Sequence, residues 1–184
     1  GLLAQLRPRG PLTDMTLARD PRDPDLALLT GASIAGALRA YLREYASGYG
    51  ADGEALTEQL FGKIEGKLSH QSWLMVDDAL SCSADSSLTE AGEYAPASVE
   101  LRDGVAIHPV TRTAEDGKKY DVELLQAGTT FRLGFELLLT ENNTNLLGAL
   151  AIALRGFQAG EIGLGQRKRR GFGRCRVSHW HVRR

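Results

Sequence analysis

The spacing of apolar residues along this chain changes several times, and each change marks an element. From Ile34 the apolar positions continue at Ala37, Leu38, Tyr41, Leu42 and Tyr45, a spacing of i, i+3, i+4, i+7, i+8 and i+11. That is one stripe of an α-helix, with Thr30 or Ser33 as its N-cap and Gly48 beyond its end. Residues 56–61 predict a short second helix stopped by Gly62, and 73–76 (WLMV) a compact strand running into Asp77 and Asp78. The small, polar residues of 81–96 predict a loop. Short strands are expected at 99–101 and 105–110 about a hairpin-type turn at Asp103-Gly104, with a polar excursion over 111–119 turning at Asp116-Gly117. Phe131, Leu133, Phe135, Leu137 and Leu139 alternate strictly, which predicts one half-buried strand. Residues 146–157 predict another helix, begun near Asn142 to Asn145 and stopped before Gly160, and 174–182 a closing strand. Residues 1–30, with Pro8, Pro11, Pro21 and Pro24, lack periodicity and read as an extended loop or weak edge strands.

The second half therefore reads β-α-β, and the whole as an α+β, ferredoxin-like (RRM-like) fold: an antiparallel sheet with helices on one face, plus loop insertions. At 184 residues and 42% hydrophobic, the chain suits one globular domain or two small ones. Cys82 and Cys175 lie far apart without metal-ligand spacing and read as reduced thiols. No apolar run is long enough to span a membrane.

Charge changes the picture at one place. The net charge is −1, yet after Glu161 no acidic residue follows. The stretch 160–177 (GEIGLGQRKRRGFGRCRV) sets Gly160, Gly163, Gly165, Gly171 and Gly173 around the block Arg167, Lys168, Arg169 and Arg170. Glycines allow positive φ and close backbone approach, and clustered cations neutralise phosphates. The pattern reads equally as a clamp on a nucleic-acid backbone or as a basic surface turn. His70, His108, His179 and His181 lack zinc-protease spacing, and the last two read as structural.

Four stretches, in order, resemble CRISPR RAMP proteins. Residues 29–39 (LTGASIAGALR) are similar to the family's pro-gly-ser-ser-leu-lys-gly segment, and 60–62 (LFG) with 73–79 (WLMVDDA) to its phe-gly and strand-asp-ala segment. Residues 107–114 (IHPVTRTA), 119–123 (KYDVE) and 128–131 (GTTF) resemble the arm and strand of type III effector backbone subunits, and 160–177 their glycine-rich loop. A further stretch, 14–21 (DMTLARDP), is similar to the loop of the backbone subunits that cleave target RNA. The chain departs from the pattern at Thr30, Ala32 and Ala35, where Pro, Ser and Lys are usual, and 1–13 offers little of the family's opening strand and turn.

The resemblance implies a single RAMP domain over 1–184, its first strand missing or supplied elsewhere, with a thumb hairpin over 104–127 that includes His108 and carries Pro109, Val110 and Tyr120 as wedge residues. It implies that Ser33, Arg39, Gly163, Gly165, Arg167, Lys168, Arg169, Arg170 and Gly171 hold guide CRISPR RNA by its phosphates. Asp14 falls on the catalytic position of a metal-dependent endoribonuclease acting on complementary target RNA, either binding Mg²⁺ or orienting the attacking hydroxyl, with Asp20 and Asp23 as lesser helpers. The implied partners are CRISPR RNA, target RNA and other RAMP subunits or fused RAMP domains, with no membrane; the implied place is the cytoplasm and the implied role antiviral defence. Alternatives are a non-catalytic guide-binding backbone subunit, a guide-processing ribonuclease, and a ferredoxin-like domain binding a phosphorylated metabolite. The guide-processing ribonuclease is disfavoured because those enzymes commonly use a histidine near the first helix, and no histidine precedes His70.

Overall fold

Helix α1 forms where the apolar stripe predicts it. The computed structural model describes residues 16–48, 52–65, 68–84, 93–107, 114–165 and 171–183, with backbone alone for 47, 52–53, 64–65, 68, 105–107 and 114–120. The elements begin β1 (Leu28–Leu29), α1 (Gly31–Ser47), α2 (Asp52–Phe61), β2 (Lys63–Glu65), β3 (Leu68–His70) and β4 (Leu74–Val76). They continue β5 (Ala79–Cys82), β6 (Val99–Ile107), β7 (Ala114–Leu125), β8 (Thr130–Phe131), β9 (Phe135–Leu137) and α3 (Asn145–Gln158). Every ladder is antiparallel: β1-β5-β8 form one sheet, while β2-β3, β4-β9 and β6-β7 pair separately. The fold is α+β as expected. The described residues group into two compact units, one with β1, β5, β6, β7 and β8, the other with the helices and β2, β3, β4 and β9.

In the helical unit the three helices pack on one another, and α1 packs on β4. Ile34, Leu38, Leu60 and Leu146 are fully buried and Phe157 nearly so, each worth roughly 1.5–3 kcal/mol of apolar transfer. The α1 stripe holds through Leu42, with Tyr41 half-buried and Tyr45 exposed at its end. Thr30 caps α1 and Gly48 follows it. Gly62, at φ +79°, ends α2. Ahead of α3, buried Asn143 satisfies both ends of its amide: Nδ2 donates to the Leu138 carbonyl at 3.1 Å and Oδ1 accepts from the Thr140 N–H at 2.6 Å.

Two approaches fix this unit. A Cβ on Gly31 would collide with the Val76 carbonyl, so α1 starts against the end of β4 only because that position has no side chain. Tyr41 crosses from α1 to α3, where a Cβ on Gly156 would meet its ring at 2.6 Å, and its hydroxyl donates to Glu161 Oε2 at 2.5 Å. That hydrogen bond, then burial, pushes the Tyr41 pKa up to about 12.

In the other unit, buried Ser81 ties the short sheet to its surroundings. Its Oγ accepts from the Ala27 N–H at 3.1 Å and donates to the Ala95 carbonyl at 2.7 Å. Cys82 is a buried free thiol, and burial raises its pKa, opposed by nearby Arg132. Val122 and Leu124 are buried and anchor β7, whereas 100–103 on β6 are exposed.

Five expectations are corrected. Asp103-Gly104 does not turn: Asp103 pairs with Asp121 and Gly104 with Tyr120 inside one long ladder. Nor does Asp116-Gly117, which lies within β7. A backbone ladder needs no apolar alternation, so polar strands of this kind escape periodicity arguments. The alternating run from Phe131 to Leu139 is two strands with different partners, β8 on β5 and β9 on β4; between them the Asp77 N–H donates to the Gly134 carbonyl at 3.1 Å and the Asp77 carboxylate fills the space a side chain there would take. The closing strand at 174–182 has no ladder among the described residues: Arg174 makes an isolated bridge to Gly163, and Cys175 and Val177 alternate with exposed neighbours. The predicted loop at 81–96 also starts later, since β5 runs to Cys82, and Tyr94 bridges back to it.

Gly31→Ala is expected to destabilise the chain by about 1–3 kcal/mol through overpacking, while Gly36→Ala, in the exposed interior of the same helix, should stabilise it by roughly 0.5–1 kcal/mol. A Cβ on Gly36 meets nothing within 4 Å, and paired thermal melts check both signs. For Tyr41, the fold holds the neutral hydroxyl. The stability from its bond to Glu161 is therefore complete below pH 10 and lost as pH rises through about 12. Ultraviolet titration should show one late tyrosine, absent in Tyr41→Phe and shifted back towards 10 in Glu161→Gln.

Candidate nucleic-acid interface

The start of α1 is built by three side chains. Thr30 Oγ1 accepts the Ser33 N–H at 3.3 Å and donates to Ser33 Oγ at 2.8 Å. Ser33 is exposed, and as acceptor in that bond it keeps its own hydroxyl proton to give. The Gly31 N–H donates to Asp78 Oδ1 at 2.6 Å. A carboxylate at a helix N-terminus is favourable for the same reason a phosphate is. The structure thus gives the first amide of α1 to Asp78, a partner that the sequence reading did not name. Arg39 lies six residues beyond Ser33, about 9 Å along the helix and roughly 120° round it. The two sit on different faces of α1.

The glycine-rich loop is closed at its neck. Gly163 and Arg174 bridge antiparallel, and the Leu164 N–H donates to the Gly173 carbonyl at 2.9 Å. Buried Ile162 and Leu164 anchor the entering leg. Gly165, Gly171 and Gly173 hold φ of +86°, +82° and +74°, a region other residues enter with strain. Gly171 is exposed, with nothing within 4 Å of where a Cβ would stand. Arg167, Lys168, Arg169 and Arg170 lie outside the described residues, as does Asp14. Arg174 and Arg176 on the returning leg are exposed.

The β6–β7 ladder runs from Val99↔Leu125 to Ile107↔Ala114, with an irregularity between Val105 and Ile107. His108, Pro109 and Val110 lie outside the described residues, and Tyr120 is placed by its backbone in β7, opposite Gly104.

The segment following Asp14 folds back on itself. Asp20 Oδ1 accepts the Arg22 N–H at 3.0 Å and Asp23 Oδ1 the Asp25 N–H at 3.1 Å, so both carboxylates serve turns of their own loop. Arg19 pairs with Ala27 across this fold and sends Nη1 to the Pro24 carbonyl at 2.9 Å. Glu123, from β7, accepts the Leu17 N–H at 3.0 Å and Arg19 Nη2 at 3.3 Å. Sequence reasoning missed Glu123, because nothing in its neighbourhood marks a partner 104 residues away. Among the described residues no group of three or more His, Cys, Asp or Glu comes together to hold a metal ion. His179 and His181 are exposed; Ser178 Oγ is 3.1 Å from His179 Nδ1, and His181 Nε2 accepts from Arg183 Nε at 3.3 Å. No helix among the described residues is long and apolar enough to cross a membrane.

Among solved structures, the chain is similar to one in a structure described as the type IV-B CRISPR complex, with TM-score 0.58 and 17% identity, covering 85% of this chain and 76% of that one. It is similar to a chain in the type III-B Cmr-beta complex bound to cognate target RNA, with TM-score 0.63 and 11% identity, covering 94% of this chain and 90% of that one. A chain from the apo state of Cmr-beta gives TM-score 0.59 at 12% identity, with 89% and 87% covered. These likenesses establish a shared fold. A comparison with curated proteins gives no match. The family model described as the RAMP superfamily matches residues 18–176, from the loop after Asp14 to the returning leg of the glycine-rich loop, and the chain belongs to that superfamily.

Proposed function

We propose that this chain is a backbone subunit of a CRISPR type III effector, holding guide RNA by its phosphates and cutting the complementary target RNA. The observation that carries the reading is the glycine-rich loop. In the sequence a run of four cations, Arg167 to Arg170, falls between Gly165 and Gly171, next to a bridged neck with three positive-φ glycines and exposed Arg174 and Arg176 on its return. A neck fixed by backbone bonds leaves the tip's sequence free for charge, and charge is what a sequence-independent hold on phosphates requires. Ser33 adds a hydroxyl donor at the start of α1. The β6–β7 hairpin takes the part of the thumb, a projecting ribbon set against the guide–target duplex. Similar chains come from complexes described as CRISPR effectors, one with cognate target RNA bound, which supports the choice of partner.

For cleavage, the residue assigned is Asp14. Its carboxylate takes the proton from a target 2′-hydroxyl, the 2′-oxygen attacks the adjacent phosphorus, and the 5′-oxygen leaves with a proton. The products are a 2′,3′-cyclic phosphate and a 5′-hydroxyl end. Displacing one nucleotide moves its 2′-oxygen towards in-line geometry, so positioning supplies a large share of the rate. The resemblance assigns Mg²⁺ to this reaction, where it would neutralise phosphate charge. The described residues gather no group of three or more His, Cys, Asp or Glu for it.

The reconstituted complex, given labelled complementary RNA in Mg²⁺ or EDTA, is expected to cut at this subunit's sites, leaving cyclic-phosphate ends. Asp14→Ala should bind target unchanged and lose about 10²–10⁴-fold in cutting rate. Wild type that binds without cutting would make the subunit a scaffold. Replacing Arg167, Lys168, Arg169 and Arg170 by Gln should weaken guide binding, and flatten its dependence on log salt by roughly 0.7 for each cation that contacts RNA. Saturation by a small phosphorylated ligand instead would favour a metabolite-binding domain.

A further inference from the structure

We infer that Glu123 is a positioning residue for target cleavage: it ties the loop that leads from Asp14 to the strand that carries the hairpin. This rests on the nuclease reading above. Glu123 Oε2 takes the Leu17 N–H at 3.0 Å and Arg19 Nη2 at 3.3 Å, gripping a backbone amide and a side chain of the same loop with one oxygen. Leu17 is three residues from Asp14, so its amide is a fixed point at most about 11 Å of extended chain from the Asp14 Cα. Arg19 is held at the far side as well, by the Pro24 carbonyl at 2.9 Å, and buried Leu17 and Leu26 pin the segment's apolar side.

The chemistry suits placement better than stability. Both partners of the Arg19–Glu123 pair are largely removed from water, with side chains 18% and 13% exposed. Arg19 Nε is buried and has no acceptor among the described residues. A buried donor left unmet opposes the gain from the pair, so the contact holds a geometry more than it adds to the folding free energy. Neither residue sits at a point of surface charge meant for phosphate: the guanidinium faces a carboxylate and a carbonyl. The β7 end of the tie is rigid, because Val122 and Leu124 on either side of Glu123 are buried and Glu123 is in register with Leu101. The hairpin and the cutting loop are thus joined at Glu123. A load on β7 when a duplex is engaged reaches the segment next to Asp14 through two hydrogen bonds.

The test uses the reconstituted complex under single-turnover conditions with labelled complementary RNA. It compares wild type, Glu123→Ala, Glu123→Gln, Arg19→Ala and the double Ala variant, with target affinity and melting temperature measured in parallel. Glu123→Ala is expected to lower the cutting rate at least tenfold at unchanged target affinity, with less uniform cut positions. Glu123→Gln keeps an acceptor for the Leu17 amide and should recover part of the rate. Arg19→Ala leaves the Leu17 amide bonded to Glu123 and should lose only part of the rate, while the double variant should match Glu123→Ala. Hydrogen exchange over residues 16–27 should accelerate in the Ala variants with the rest of the chain unchanged. Equal cutting by wild type and Glu123→Ala overturns the inference and leaves the nuclease reading standing. So does a rate loss that tracks a global fall in melting temperature with no local change in exchange. Wild type that binds target without cutting overturns the nuclease reading, and this inference with it.

Discussion

The helical unit depends on one close approach: the backbone of Gly31 against the carbonyl of Val76. There, a helix begins in the space that any side chain would fill. The contact brings the Gly31 amide within 2.6 Å of Asp78 and aligns the Thr30 cap over Ser33. With its first turn seated, α1 presents Ile34, Leu38 and Leu42 inwards, and α3 lies against it where Gly156 admits the ring of Tyr41. The Tyr41–Glu161 bond then reaches the residue that opens the glycine-rich loop. A steric constraint of a few atoms therefore propagates, by packing and one hydrogen bond, from the end of a strand to the base of a basic loop.

How much of this was legible in the sequence depended on what each element is stabilised by. The helices declared themselves because they bury a stripe, and burial at a period of 3.6 leaves its mark on residue choice. Thr30, Gly48, Gly62 and Gly160 gave their ends. The hairpin was harder. β6 and β7 are joined by backbone bonds over long polar stretches, and both Asp-Gly pairs that signalled turns lie inside the ladder. The Phe131–Leu139 alternation is present, yet its two strands pair with different partners, β8 with β5 and β9 with β4. At 174–182 the alternation is present and, among the described residues, the partner strand is not, since period-two patterning reports an extended backbone and says nothing about what lies beside it.

The candidate site divides in the same way. The glycine and cation pattern announced the loop, because positive φ and clustered charge are properties of residue type. Asp78 and Glu123 were silent, because each acts through a partner far along the chain: a helix terminus for one, an amide and a guanidinium for the other. Asp20 and Asp23 show the converse. As residues they resembled helpers, and as structure they are acceptors for amides two positions on.

The β6–β7 ribbon has a consequence for the chain on its own. Among the described residues β6 pairs only with β7, which leaves one long strand edge exposed, with Leu101 62% accessible in its middle. Such an edge invites another chain to add a strand. Glu100, Arg102 and Asp103 surround that leucine, with Glu100 and Arg102 paired at 3.0 Å. Charges on both sides of a lone apolar residue act as gatekeepers against strand-to-strand stacking. Along the described part of the ribbon, these charges oppose edge-to-edge pairing with a second copy.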